Sequence, residues 1–120
     1  MHGRVTITYP RNQTEARRIF AHLDSRWAEM LKQPDKRATS RQWLNIVADV
    51  NALYRKANEE VTSFQKEVEG LRTAYKKATL LEKPSAFAAM MGKTVKLNFH
   101  QWLLRATKDW MRRKKIPKKY

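Results

Sequence analysis

Two kinds of hydrophobic periodicity run along this chain. Residues 5–9, Val-Thr-Ile-Thr-Tyr, alternate apolar and polar with the period of a half-buried strand, and Pro10 ends the run. A lone strand needs a partner. The other alternating run is Val95-Lys96-Leu97-Asn98-Phe99, so the pattern predicts a minor two-stranded β ribbon pairing residues 4–9 with residues 94–98.

The remainder has helical periodicity. Asn12 and Glu15 stand at capping-box spacing and open a helix over residues 13–33. Its apolar stripe is Ile19, Leu23, Trp27 and Met30, with Phe20 and Leu31 beside it, and Pro34 stops it. A second capping pair, Thr39 with Gln42, precedes the most regular part of the chain. Trp43, Val47, Val50, Tyr54, Ala57, Val61, Phe64, Val68, Leu71 and Tyr75 follow one another at alternating spacings of four and three. That is a heptad seam, and it predicts a helix from Ser40 to Leu81 wound against at least one other helix. Gly70 and the capping pair Thr62–Gln65 offer a break into a hairpin, but the seam keeps its phase through both, which favours one continuous helix. Val47, Val50, Tyr54, Val61, Phe64, Val68 and Leu71 are therefore the candidate oligomerisation or docking residues. Their partner is either a second copy or another helix of the same chain.

Towards the C-terminus, Pro84 suits the first turn of a short helix, Ser85 to Met91, that Gly92 would cap. The ribbon strand follows, and then a helix from Phe99 to Lys115, with Asn98 and Gln101 as its capping pair and Phe99, Leu103, Ala106 and Trp110 on its core face. Short helix, glycine turn and basic helix have the outline of a helix-turn-helix, although the linker is long for one. The fold class expected is mainly α: one small helical domain spanning residues 1–120, with one long heptad-patterned helix and the minor ribbon. Three glycines and four prolines in 120 residues fit long elements and few turns.

Charge is what turns this outline toward function. Lys and Arg number 26 against 11 Asp and Glu, a formal net charge of +15, and the isoelectric point is near 10.5. A polyanion relieves such self-repulsion and releases counterions as it binds. The excess is concentrated in the last thirty residues, which hold ten Lys and Arg and one acid, Asp109. Arg105, Lys108, Arg112 and Lys115 step by three, four and three and share one helix face. Arg113, Lys114, Lys118 and Lys119 extend the patch into a tail. These eight are the candidate nucleic-acid-binding residues, and phosphate contacts of this kind suit DNA somewhat better than RNA. The tail from Arg112 to Tyr120 reads as dispensable to the fold.

Other chemistry finds little support. There is no cysteine, which removes disulfides, thiol catalysis and cysteine zinc sites and fits a reducing, cytoplasmic setting. His2, His22 and His100 are scattered, His22 and Asp24 point to different sides of a helix, and Glu59 and Glu60 project differently. No phosphate-binding glycine loop or nucleophile elbow is present. The expectation is a protein that is not an enzyme, uses no metal or cofactor, and does not engage membranes. Its expected role is that of a nucleic-acid-binding accessory protein, possible as a homodimer or within a larger complex. The rival is a small subunit or inhibitor that docks on a larger nucleic-acid-processing enzyme.

Overall fold

The computed structural model describes residues 5–117. Three helices account for most of them: α1, Gln13–Lys32; α2, Lys36–Lys77; and α3, Lys83–Arg113. α2 and α3 form a long antiparallel hairpin, and the molecule measures 68 × 25 × 21 Å. α1 folds back against one half of that hairpin. The mainly helical class is as the periodicity predicts.

Each helix starts for an identifiable reason. Asn12 caps α1, its side-chain oxygen accepting from the Glu15 N–H at 2.9 Å, while the Glu15 carboxylate reaches back to the Arg11 N–H at 2.8 Å. Asp35, directly after Pro34, caps α2 by accepting from the Arg37 N–H at 2.9 Å. The expected Thr39–Gln42 start therefore lies inside the helix, where the Thr39 hydroxyl donates to the Asp35 carbonyl. The helix is continuous through Gly70, and the Thr62 hydroxyl bonds back to the Asn58 carbonyl rather than capping a new helix. A tight turn joins α2 to α3, with the Glu82 carboxylate accepting from both the N–H and the hydroxyl of Thr79.

The predicted ribbon is absent: among the described residues there is no strand. Residues 94–98 lie inside α3, as do the expected short helix, glycine cap and helix-turn-helix linker. The reason is a second heptad that outweighs the local alternation. Met90, Leu97, Leu104 and Met111 are each seven apart, and Leu97, Leu104 and Met111 of these pack in the core together with Leu103 and Trp110. Residue 4 lies outside the described residues. Residues 5–9 are extended without being a strand: Ile7 and Tyr9 pack inward against Leu53, Ala57 and Leu103 while Val5 and Thr8 stay exposed. Alternation set the two faces correctly, but a helix flank covers the inner one.

The core runs along the hairpin in three parts. At the end where α3 finishes, Trp110, Met111 and Ile116 pack with Leu23 and Met30 of α1 and Ile46, Val47 and Val50 of α2. In the middle, Ala16, Leu53, Ala57 and Leu103 form a second group. Beyond the start of α1, Val61, Val68 and Leu97 hold α2 to α3 unaided, with Phe64 and Leu104 alongside. The α2 seam thus faces the chain's own α3. Of the candidate docking residues, Val47, Val50, Val61 and Val68 are buried there, and Tyr54, Phe64 and Leu71 are partly buried.

A buried acid ties the N-terminal segment to this frame. Asp49 is wholly inaccessible. Its carboxylate accepts from the Thr6 N–H at 2.6 Å, the Thr6 hydroxyl at 2.8 Å and the Arg26 guanidinium at 2.5 Å. A buried charge is tolerable only with such partners. Asp49→Ala leaves Arg26 and Thr6 unpaired against α2 and is expected to lower the unfolding free energy by about 3 kcal/mol. Urea titration of the two proteins checks it; a loss within the error of the native value would show that the segment is held by packing alone.

Candidate nucleic-acid interface

The C-terminal turns of α3 end in a Schellman closure. The Ile116 N–H bonds the Met111 carbonyl at 2.9 Å and the Lys115 N–H bonds the Arg112 carbonyl at 3.1 Å. Lys115 occupies the left-handed position, at φ 57°, where glycine is usual. Ile116 then turns inward and is buried beside Met111. The Asn51 side-chain amide donates to the Pro117 carbonyl at 3.2 Å. The tail is therefore not dispensable as a whole, because cutting after Met111 removes Ile116 from the core.

This closure shapes a groove. Arg105, Lys108, Arg112 and Lys115 line it, Met111 and Ile116 form its floor, and Asp109 is its one acid; its volume is about 710 Å³. The four cations predicted to share a face are thus brought together around one concavity, and all four are exposed. Asp109 lies 2.6 Å from the Arg112 guanidinium and 3.2 Å from that of Arg113, which draws Arg113 to the groove's edge. These ion pairs are exposed and weak enough for a phosphate to displace them. Lys108 reaches across to α2, with its ammonium 5.9 Å from the Tyr54 ring centre.

Lys114 faces the other way. Its ammonium lies 5.6 Å and 5.7 Å from the ring centres of Trp27 and Trp110, and 3.9 Å from the Asp24 carboxylate. Asp24 also accepts from the Trp110 indole N–H at 2.8 Å, which satisfies the polar atom of a ring only 1 % exposed. Trp110 is a core residue, as its helical spacing predicts, and stands edge-on to Trp27. Lys118 and Lys119 lie outside the described residues. Sequence reasoning missed Asp24, Ile116 and the left-handed Lys115. It also missed Asp49, although an acid amid Ile46, Val47 and Val50 was a visible signal of a buried pair.

A second concavity, of about 730 Å³, opens where α1 begins, between Tyr9, Asn12, Glu60, Phe99 and His100. The Tyr9 hydroxyl and His100 Nδ1 are hydrogen-bonded at 2.7 Å, and the imidazole is stacked between the Tyr9 and Phe64 rings. Burial, aided by the Glu60 charge, pushes the Tyr9 hydroxyl well above its ordinary value. Burial holds His100 below its ordinary value; Glu60 opposes this and Lys56 reinforces it.

Among the described residues, no three His, Asp or Glu side chains are placed to hold a metal ion. Among the same residues, no helix is long and apolar enough to cross a membrane. No protein family, no curated protein and no solved structure matches the chain.

Two predictions follow from these geometries. Lys115→Gly relieves a left-handed side chain and should raise stability by about 0.5–1 kcal/mol in urea titration, net of glycine's larger unfolded-state freedom. A destabilised variant would mean that the Schellman closure does not form. The second concerns pH. Because His100 is depressed in the folded state, acidification through the ordinary histidine range protonates the unfolded chain first, and stability falls as pH drops below about 6.5. His100→Gln should flatten that part of the melting-temperature profile; parallel profiles for the two proteins would exclude His100 as its source.

Proposed function

We propose that this chain is a non-enzymatic nucleic-acid-binding accessory protein that grips a phosphate backbone in the groove at the end of α3, DNA ahead of RNA. The observation carrying this reading is the convergence of Arg105, Lys108, Arg112 and Lys115 around one concavity in a chain of net charge +15. Arginine forks and lysine ammonium groups donate to phosphate oxygens. Arg113 stands beside the groove, and Lys118 and Lys119 follow it in sequence. Contacts of this type fix position on the backbone and carry little base information.

Binding to a duplex DNA oligonucleotide, titrated at several salt concentrations, tests this. Each phosphate contact contributes about 0.9 to the slope of log affinity against log salt. Replacing the four groove cations together by glutamine should lower that slope by roughly 2–4, with similar loss on unrelated sequences. Equal slopes for the two proteins would remove the groove from the interface. Failure of the native chain to bind even at low salt would defeat the reading and favour the rival, a subunit docking on a larger nucleic-acid-processing complex.

A further inference from the structure

The concavity at the start of α1 shares no residue with the basic groove, and three stretches of chain converge to build it. Tyr9 to Gln13 form one side, Glu60 of α2 lies on another, and the turn of α3 around Phe99 and His100 completes it. Its volume of about 730 Å³ lies in the range that holds small organic ligands. The side formed by the N-terminal segment is fixed in place: Pro10 is buried, Tyr9 is bonded to His100, and Thr6 is bonded to the inaccessible Asp49. Rings line the space. The Tyr9 and His100 planes lie 16° apart, and Phe99 stands edge-on to His100 with ring centres 5.1 Å apart. Val95, 64 % exposed, adds an apolar edge open to water.

The polar groups around this space divide into two kinds. Inside stands Glu60, close enough for its charge to act on both Tyr9 and His100. Lys56 meets one of its carboxylate oxygens at 2.9 Å, and the other has no hydrogen bond among the described residues. Asn12 also lines the space; its Oδ1 is committed to the α1 cap, which leaves Nδ2 as a donor. Arg11 and Lys96, by contrast, are exposed and bring positive charge to the opening. A carboxylate only accepts, so the inner edge of a ligand must donate N–H groups. It also repels any ligand that enters acid first. Cations at the opening, in a chain of net charge +15, repel an amine and attract an anion. A flat ring system that stacks, donates N–H groups along one edge and carries negative charge at its other end meets all three conditions. That is a nucleotide. Among the common bases, guanine alone sets two N–H donors side by side, at N1 and N2, with the O6 carbonyl next to them for an amide donor.

We propose that this concavity binds a guanine nucleotide, with the base among the Tyr9, Phe99 and His100 rings, its N1–H and N2–H donating to Glu60, and its phosphate held by Arg11 and Lys96. Stacking on the rings supplies affinity for any base, and the carboxylate supplies the choice among them. Lys56 restrains that carboxylate through one oxygen and leaves the second for the base. The Arg11 guanidinium is paired with Glu15 in an exposed contact, which a phosphate can displace. A free nucleotide and an unpaired guanine in a single strand present the same groups. The site is independent of the groove at the end of α3 and of what that groove binds.

Calorimetric titration of the full chain with guanosine and inosine 5′-monophosphates provides the test, since inosine lacks only the N2 amine. The guanosine nucleotide should bind saturably. The inosine nucleotide should bind about tenfold more weakly, having lost one hydrogen bond to a charged acceptor. Glu60→Gln should weaken the guanosine nucleotide about tenfold and leave the two ligands nearly equal. Its side chain reaches solvent, so the variant should keep native helicity by circular dichroism. Replacing the four groove cations by glutamine should leave nucleotide binding unchanged. Single-stranded oligonucleotides with and without guanine assign the source. A guanine-dependent gain over the mononucleotide that is lost in Glu60→Gln identifies a strand, and the absence of such a gain identifies the free nucleotide. The proposal is overturned if the guanosine nucleotide does not bind, if inosine binds equally well, or if inorganic phosphate alone competes as strongly as the nucleotide. Binding lost in the groove variant and kept in Glu60→Gln would overturn it too, by moving the ligand to the groove.

Discussion

The antiparallel contact between α2 and α3 is the interaction on which everything else rests. A helix of the length of Lys36–Lys77 is held by burial of its apolar stripe more than by intrinsic propensity. α3 supplies the cover through Leu97, Leu103, Leu104, Trp110 and Met111. α1 and the extended segment before it are secondary layers: they seal the flank of the seam where Leu103 and Trp110 stand, and Asp49 fixes their position by accepting from both Thr6 and Arg26. Without the hairpin there is no surface for either to pack on. The heptad that looked capable of joining two molecules is thus largely used inside one.

The same architecture determines where positive charge is left over. Eight of the eleven acids have structural partners. Asp35 caps α2, Glu82 closes the turn, Asp49 holds the N-terminal segment, and Asp24, Glu15, Glu60, Glu67 and Asp109 pair with nearby cations. These pairings are spread along the whole molecule. At the end of α3, Asp109 is shared between two arginines and Asp24 meets Lys114 on the side away from the groove. Asp109 is thus the one acid on the groove itself, and the excess of positive charge there is focused by the concave closure that Ile116 forms.

Elements with strong local signals were legible in the sequence. α1 was fixed by Asn12 and Pro34, and α2 by ten seam positions without a skip. The shared face of Arg105, Lys108, Arg112 and Lys115 followed from helical spacing alone. α3 was misread because Val95, Leu97 and Phe99 satisfy period two while Leu97 also belongs to a heptad. Five residues do not separate those periods, whereas the longer repeat from Met90 to Met111 does. Gly92 made the error worse, since a glycine after a short apolar run reads as a cap. The roles of Asp24, Lys115 and Ile116 depend on tertiary neighbours far away in sequence, or on a backbone angle, and no periodicity encodes either.

A gradient of packing along the hairpin connects these observations. At the basic end three helices, the Schellman closure and the Asn51–Pro117 bond converge, so the groove cations are mounted on the best-anchored part of the molecule. At the opposite end two helices share a thin seam of Val61, Val68 and Leu97, and large apolar side chains face water. Local opening is least costly where buried contacts are fewest, which is the arm and not the groove. Covering the arm would therefore stabilise the weaker half of the fold while leaving the basic surface unchanged. The two ends are physically separable: one is built on charge held in place by a core, the other on an apolar face whose own core is incomplete.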